Sequence, residues 1–534
     1  MTSVLIVGAG PTGLTLACDL ARRGIAVRII EKSPEHPRSS RAKGPNPRSL
    51  EVLADLGVVD EVLAAGTAPL TMRKYRHGQP VADAQPFLGS RPTPDAPYDR
   101  PWLLPQWRLE EILRDRLADH GVRVELGTEL VRFTQDASGV TAVLADGRQI
   151  DARYLVGCDG AHSTSRKLLG VPLAGRTAEE LVMVCGDVEL DGPDRGYWHQ
   201  WLDEDGGVML CPIPGTRSGW WFQASPERDA QGEPLAPSRD GFQRLLDRHA
   251  RIPGLRLADA TLLSTYRVNV RMVDRFRVGR VLLAGDSVHV HPVAGGLGMN
   301  TGIQDAFNLG WKLALVLTGQ AGPGLLDTYE EERLPIAAWT LDITSERLQA
   351  TLEAIKEPGG GLDSVFTPET NTLGLGYRWS SLAVGREKPD ASDGQGGQSG
   401  HDEQDAHDAR LQPGDRAPDA PCRDAATGAP VRLFELFAGP HFTLLGFGPG
   451  AARALRETAA EHGSDSLRAY QVADGPHGPA GQVLDEHGLA RSAYGITEDA
   501  LVLVRPDSHV ALIAPAGDTR AAADYLDRLK RLGA

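Results

Sequence analysis

The stretch Val4-Leu5-Ile6-Val7-Gly8-Ala9-Gly10-Pro11-Thr12-Gly13 decides how this chain is read. Four apolar residues running into glycines have the pattern of a strand in a parallel sheet covered on both faces. Beyond the turn, Leu14, Ala17, Cys18 and Ala21 recur at helical spacing, Gly24 supplies a stop, and Ala26 to Ile30 reads as the next strand. That is a complete βαβ unit. Gly8-x-Gly10-x-x-Gly13 permits a tight turn, close backbone approach to a pyrophosphate and close helix packing, with the helix start at Pro11 and Thr12 facing the phosphates. Glu31 closes the second strand eighteen residues after Gly13, placed to accept hydrogen bonds from an adenosine ribose, with Lys32 beside it as a further contact candidate. The competing reading is a glycine turn that only permits packing. Strand, helix and acid together favour nucleotide binding and leave the choice of dinucleotide open.

Working outward, Tyr154 to Val156 runs into Gly157-Cys158-Asp159-Gly160, and Val281 to Ala284 runs into Gly285-Asp286. Three strands therefore end in Gly/Asp turns. After the last one, Ile303, Ala306, Phe307, Gly310 and Ala314 trace one buried helical face. Between Pro172-Leu173-Ala174 and Arg271 the pattern changes to short strands rich in Trp and Tyr, among them Tyr197-Trp198, Trp201 and Trp220-Trp221-Phe222. These aromatics read either as a substrate wall or as ordinary sheet core. From about Gly385 to Gly414 large apolar residues all but disappear, a composition that buries too little surface to offset ordering. Strands at Phe442 to Phe447 and Ala500 to Val504 and a helix from Thr519 to Leu532 then predict a small α/β domain.

At 534 residues the chain is long enough for roughly three structural units. Its net charge of −15 argues against nucleic-acid backbones and anionic membrane surfaces. Five cysteines without a C-x-x-C pair suggest neither a disulfide framework nor a metal cluster, and fit a reducing cytoplasm. No apolar run reaches the ~18 residues that span a bilayer, so the protein is expected to be soluble.

Two further segments name the cofactor. Cys158-Asp159-Gly160-Ala161-His162-Ser163-Thr164-Ser165-Arg166 and Gly285-Asp286-Ser287-Val288-His289-Val290-His291-Pro292-Val293-Ala294-Gly295-Gly296-Leu297-Gly298-Met299-Asn300 resemble, in this order after the dinucleotide turn, the signatures of class A flavoprotein monooxygenases. That family includes phenol hydroxylases and aromatic polyketide hydroxylases. Physically, a carboxylate at a strand end can accept a ribityl hydroxyl, and a glycine-rich helix start can stabilise negative charge on a reduced flavin. Asp286 fits the first task and Gly295 to Met299, with Gly298 and Met299 at the centre, fit the second. Asp286 as a helix cap and Asp159 as a mere organiser of its turn with Arg166 are the competing readings. The resemblance also implies a flavin phosphate contact for Arg41, an approach to the ribityl chain for Gln106, and a backbone position near the adenine for Leu130. His289 and His291 lack a third ligand at metal spacing and read as turn packing. The usual family pattern has two prolines after this histidine, whereas Val293 follows Pro292 here.

The resemblance implies FAD as cofactor, NADPH or NADH as a transient reductant, since no second dinucleotide fingerprint is found, and O2 as co-substrate. A flavin hydroperoxide would then hydroxylate a bulky phenolic or polyketide-type aromatic. The implied architecture is an α/β fold: a Rossmann-like FAD domain (1–71, 106–171 and 272–345), an inserted β-rich substrate domain (72–105 and 172–271), a helical connection (346–384), a linker (385–412) and a C-terminal thioredoxin-like domain (413–534). Gly376-Tyr377-Arg378-Trp379 and Pro413-Gly414-Asp415-Arg416 are similar to segments of the polyketide hydroxylases. Cys422 is the lone cysteine of the last domain, which points to a structural or oligomer-contact role rather than disulfide chemistry, in a monomer or homodimer. The alternatives are a Baeyer–Villiger or epoxidising monooxygenase, a halogenase or dehydrogenase, and a noncatalytic flavin- or ligand-binding resistance protein. No W-x-W-x-I-P halogenase signature stands at Trp220-Trp221, and no residue is identifiable as a catalytic base.

Overall fold

A computed structural model describes residues 2–39, 42–357, 359–385, 410–463, 465–474 and 482–533. Arg41 and most of the predicted linker, 386–409, lie outside the described residues. The chain divides into two compact units: Met1–Arg91 with Tyr98–Leu317 and Tyr329–Leu373, and Pro92–Pro97 with Thr318–Thr328 and Gly374–Ala534.

The first unit holds two sheets. In the eight-stranded sheet, Val281–Leu283, Gln149–Gly157, Thr2–Val7, Val27–Ile30 and Val124–Glu125 run parallel in that spatial order. Val4, Leu5 and Ile6 are fully buried, as a strand covered on both faces requires. Val140–Leu144 joins antiparallel to Gln149–Gly157 and carries Leu130–Gln135 with it. Register is what positions the site: Val7 pairs with Ile30 on one side and Gly157 on the other, and Gly157 pairs with Leu283. The three Gly/Asp turns therefore leave the sheet side by side at its C-terminal edge, where ligands of open α/β sheets bind.

Helix Pro11–Arg22 packs against the long helix Leu297–Leu317, whose predicted face Ile303, Ala306, Phe307, Gly310 and Ala314 is buried. Glycine lets the two helices approach. A Cβ at Gly302 would overlap the Thr12 side chain, and one at Gly310 would overlap the Asp19 carboxylate. Asp19 in turn takes Arg22 at 2.6 Å and Arg23 at 3.0 Å, so its burial is fully compensated.

The nine-stranded sheet runs His289–Val290, Ser264–Met272, Ala174–Asp191, Gly219–Ala224, Gly206–Pro212, Tyr197–Asp203, Thr71–Arg76 and Gln79–Ala84, with Arg256–Ala260 also paired to Ala174–Asp191. Strand parity sorts its aromatics. Trp201, Trp220 and Phe222 join the core under helix Arg239–His249, with Phe242, Leu245 and Leu246. Trp198 and Trp221 belong to the opposite cluster, with Met72, Leu103 and Cys211. Both sets are therefore buried in hydrophobic clusters, one on each face of the sheet.

The second unit contains a seven-stranded sheet ordered Pro430–Arg432, Pro421–Asp424, Gln482–Asp485, Leu467–Asp474, Phe442–Phe447, Ala500–Val504, Val510–Pro515. Both strands expected there are present with the expected bounds, and the expected terminal helix spans Ala521–Arg531. Among the described residues no helix is long and apolar enough to cross a membrane.

Candidate cofactor site

The glycine turn divides its labour between packing and reception. Gly8 has φ +103°, and a Cβ there would overlap the carbonyl oxygen of Cys158; a Cβ at Gly13 would overlap the carbonyl of Gly8. Those two glycines are required by the protein itself. At Gly10 a Cβ would meet no protein atom within 4 Å. The space in front of Gly10 is therefore open to a ligand, and the helix that begins at Pro11 has no side-chain cap on its first N–H groups.

Glu31 is fastened at the rim of this turn. Its Oε2 accepts the Ala9 N–H at 3.1 Å and its Oε1 the Ser33 N–H at 3.0 Å, which holds the carboxylate beside the turn where a ribose would lie. Lys32 is exposed on the segment that follows. Gln106 opens helix Gln106–Asp119 and donates from Nε2 to Glu110 Oε1 at 2.8 Å. Burial pushes the Glu110 carboxyl up to about 7, with the Gln106 hydrogen bond opposing it. The Leu130 side chain sits in the sheet core with Leu5, Val7 and Ile30, which leaves only its backbone for any ligand contact.

The two aspartates at the strand ends differ. Asp159 is committed to its own loop: Oδ1 accepts from Ser163 Oγ at 2.5 Å, and Oδ2 accepts from the Ser165 N–H at 2.9 Å and from Ser165 Oγ at 3.1 Å. Ser163 also caps helix Thr164–Leu168 by accepting the Arg166 N–H at 2.9 Å. Arg166 donates to the carbonyls of Ala161 and Ser287, each at 3.0 Å, and so ties this loop to the Gly285-Asp286 turn. Asp286 is exposed in that turn. Gly285, at φ +65°, presses against Thr12, whose Oγ1 would lie 2.6 Å from an added Cβ. The glycine turn and the Asp286 turn are consequently one packed surface.

Beneath Asp286 lies a buried network. The Asp305 carboxylate accepts from the Gly285 N–H at 3.1 Å, from His289 Nε2 at 2.8 Å and from Arg333 Nε at 2.7 Å. Burial alone would raise the Asp305 pKa; Arg333 and then His289 outweigh it and bring the carboxyl to about 2. His291 is buried next to His289, and burial holds its imidazole near 4. A second buried pair, Lys312 to Glu332 at 2.7 Å, joins the same two helices. Sequence reading assigned Asp305 and Arg333 no role. The signal was present: Asp305 and Lys312 are the charged residues of an otherwise uncharged 21-residue helix, and buried charges demand partners.

Gly298 and Met299 lie in the first turn of helix Leu297–Leu317, after a kink in which Gly295 and Gly296 have φ +78° and +65°. Asn300 locks this start. Its Nδ2 donates to Gly296 O at 2.8 Å, and its Oδ1 accepts the Asn46 N–H at 2.8 Å. The helix start and the segment around Gly44 are thereby held as one wall. Asn46 and Asn300 were not singled out from sequence, since each acts through a partner more than 250 positions away.

An open glycine cradle, a carboxylate fastened beside it and a glycine-kinked helix start on one sheet edge make a donor set that FAD fits. Residues 1–344 match the FAD binding domain family, and residues 410–532 match the C-terminal domain of aromatic-ring hydroxylases. The chain belongs to the FAD-dependent aromatic-ring hydroxylases. It is 40% identical over 539 residues to a flavin-dependent monooxygenase of Mycobacteroides abscessus, covering 99% of this chain and 100% of the relative. It is 32% identical over 568 residues to tetracenomycin A2 monooxygenase-dioxygenase of Streptomyces glaucescens, covering 99% and 96%. Among solved structures, aklavinone-11 hydroxylase in ternary complex with FAD and aklavinone superposes with a TM-score of 0.80 at 30% identity, covering 99% of each chain.

Proposed function

We propose that the protein hydroxylates a bulky phenolic or polyketide-type aromatic, consuming NAD(P)H and O2. The observation that carries this reading is the similarity of nearly the whole chain to flavin hydroxylases of polycyclic aromatics, and a small cavity of about 30 Å³ on the nine-stranded sheet adjoins the cofactor edge. Met183, Trp221, Phe222, Leu262, Tyr266 and Val293 line that pocket. Val293 lies two residues before the glycine kink at Gly295, so the wall of the pocket runs into the helix start assigned to the flavin. Resemblance to hydroxylases of polycyclic aromatics supports the substrate class.

FAD, when bound, supplies the redox chemistry that moves electrons from NAD(P)H to O2 and one oxygen atom to the ring. The chain's part is to hold the dinucleotide on Gly8 to Gly13 and Glu31, to place partial positive charge from the helix start at Gly298 and Met299 near the redox-active ring, and to orient the substrate while excluding water. Lys32, Arg41, Gln106, Leu130, Asp159 and Asp286 complete the proposed cofactor contacts. For the C-terminal unit we favour a thioredoxin-like assignment. Its strands Phe442–Phe447 and Leu467–Asp474 are parallel around helix Ala452–His462, and antiparallel Ala500–Val504 and Val510–Pro515 lead into helix Ala521–Arg531.

The test is aerobic incubation of FAD-loaded protein with NADPH and hydroxyanthraquinones, under 18O2, followed by product mass measurement. One labelled oxygen incorporated per product, with ligand-accelerated flavin reduction, is the expected result. Oxygen inserted beside a carbonyl would convert the reading to a Baeyer–Villiger enzyme, and ligand-independent reduction without any oxygenated product would sink it.

A further inference from the structure

Lys43 enters the same pocket from the opposite wall. Its backbone belongs to the cofactor side: Lys43 O accepts the Leu104 N–H at 2.8 Å, and the next residue, Gly44 with φ +144°, abuts the Trp102 carbonyl so closely that a Cβ would overlap it. The segment cannot swing away. The side chain crosses to the sheet, where Nζ donates to Gln223 Oε1 at 3.0 Å and lies 5.7 Å and 5.8 Å from the ring centroids of Trp198 and Trp221. An ammonium carries three donors, and among the described residues no carboxylate pairs with this one. A cation with spare donors in a cavity walled by Trp221, Phe222 and Tyr266, with Asp187 also in the lining, is a receptor for an anionic or acidic oxygen.

We propose that Lys43 binds the acidic hydroxyl of the aromatic substrate, accepting its proton and holding the resulting phenolate at the edge of the cofactor crevice. This rests on the aromatic hydroxylase reading above. The step balances internally: the phenol O–H bond breaks, an Nζ–H bond forms, and the pocket exchanges a neutral amine and phenol for an ammonium–phenolate pair. Burial makes the Lys43 ammonium easier to deprotonate than an ordinary lysine, while Cys211, Cys185 and Asp187 around it oppose that shift. The ionised oxygen then feeds electron density into the ring, which electrophilic oxygen transfer requires. Trp221, Phe222 and Tyr266 supply the aromatic side walls.

The experiment is difference absorption spectroscopy of hydroxyanthraquinones, whose phenol and phenolate forms differ in colour, bound to FAD-loaded protein at a pH where the free dyes are neutral. The wild type should show the phenolate spectrum. K43M should bind the dye at least tenfold more weakly and in its neutral form, K43R, whose guanidinium cannot take up a proton, should bind the dye but leave it neutral, and Q223L should weaken binding two- to fivefold. FAD content of each variant identifies any that fail to fold, and Q223L keeps the measurement decisive should K43M be one of them. A phenolate spectrum that persists in FAD-loaded K43M, or a neutral dye in the wild type, overturns the role of Lys43 and leaves the hydroxylase reading standing. If FAD-loaded wild type neither binds nor oxygenates any dye of the panel, the hydroxylase reading itself falls.

Discussion

The cofactor edge of the eight-stranded sheet and the pocket face of the nine-stranded sheet are built by opposite means. At the cofactor edge, the proposed recognition lies in short runs of consecutive residues, and much of it is backbone: Gly8 to Gly13, Glu31 with its two N–H donors, and the kinked helix start at Gly295 to Met299. At the pocket face, the proposed chemistry comes from single side chains on separate segments, with Lys43 and Gln223 180 positions apart. Phosphate and ribose are the same in every FAD, so a fixed local geometry can read them. A substrate ring is read by shape and by a few polar atoms, which any segment can supply. Damage to the two regions should therefore separate: the edge loses flavin, and the pocket loses substrate while staying yellow.

The largest expected effect comes from Asp305→Asn. It leaves Arg333, fully buried, without its carboxylate and should cost about 3–5 kcal/mol in denaturant unfolding. It should also reshape the acid limb of stability. The Asp305 carboxyl is held at about 2, below its ordinary value, so its contribution is fully present above the unfolded carboxylate range and is lost as pH falls toward 2. Wild type should lose more stability than Asp305→Asn between about pH 4 and pH 2; parallel curves would show that the ionised carboxylate does not stabilise the fold. Next, Gly8→Ala forces a side chain into a φ of +103° and into the Cys158 carbonyl, with an expected cost on the order of 3 kcal/mol and loss of FAD. Gly10→Ala is its sharpest control. With open space around that Cβ, thermal stability of the flavin-free protein should not change, while FAD affinity falls by about tenfold, or 1.4 kcal/mol. Equal FAD binding in wild type and Gly10→Ala would remove the pyrophosphate from this turn.

The same contrast explains what was legible in the sequence. The βαβ unit, the three strand-end turns and the buried face of the long helix could be read because each is local and periodic. Glu31 could be placed because its spacing from Gly13 is itself part of the motif. Asp305, Arg333, Asn46 and Asn300 could not, because their work is done on partners brought near only by folding. Lys43 was visible in its segment but without a role: nothing in Arg41-Ala42-Lys43-Gly44 tells that its side chain reaches Gln223. The aromatic run Trp220-Trp221-Phe222 held an answer in its parity, since alternate residues face opposite sides, yet which residues joined which cluster depended on where helix Arg239–His249 docked.

The smallest effect tests where the boundary of the cofactor edge lies. Ser163→Ala removes both a helix cap, the acceptor of the Arg166 N–H, and the hydroxyl donor to Asp159 Oδ1. Loss of such a cap costs about 1 kcal/mol, and that is the expected fall in unfolding free energy. The informative quantity is FAD affinity in the same variant. Asp159 would keep its two bonds to Ser165, so a carboxylate that merely organises the turn stays in place and FAD binding should change less than about threefold. If Asp159 is instead a cofactor ligand, its freed Oδ1 is no longer positioned by Ser163 and FAD binding should suffer along with stability. A drop of tenfold or more would move this loop from scaffold to contact surface, and Arg166, which joins it to the Asp286 turn through Ser287 O, would then link two ligand-bearing turns rather than brace one.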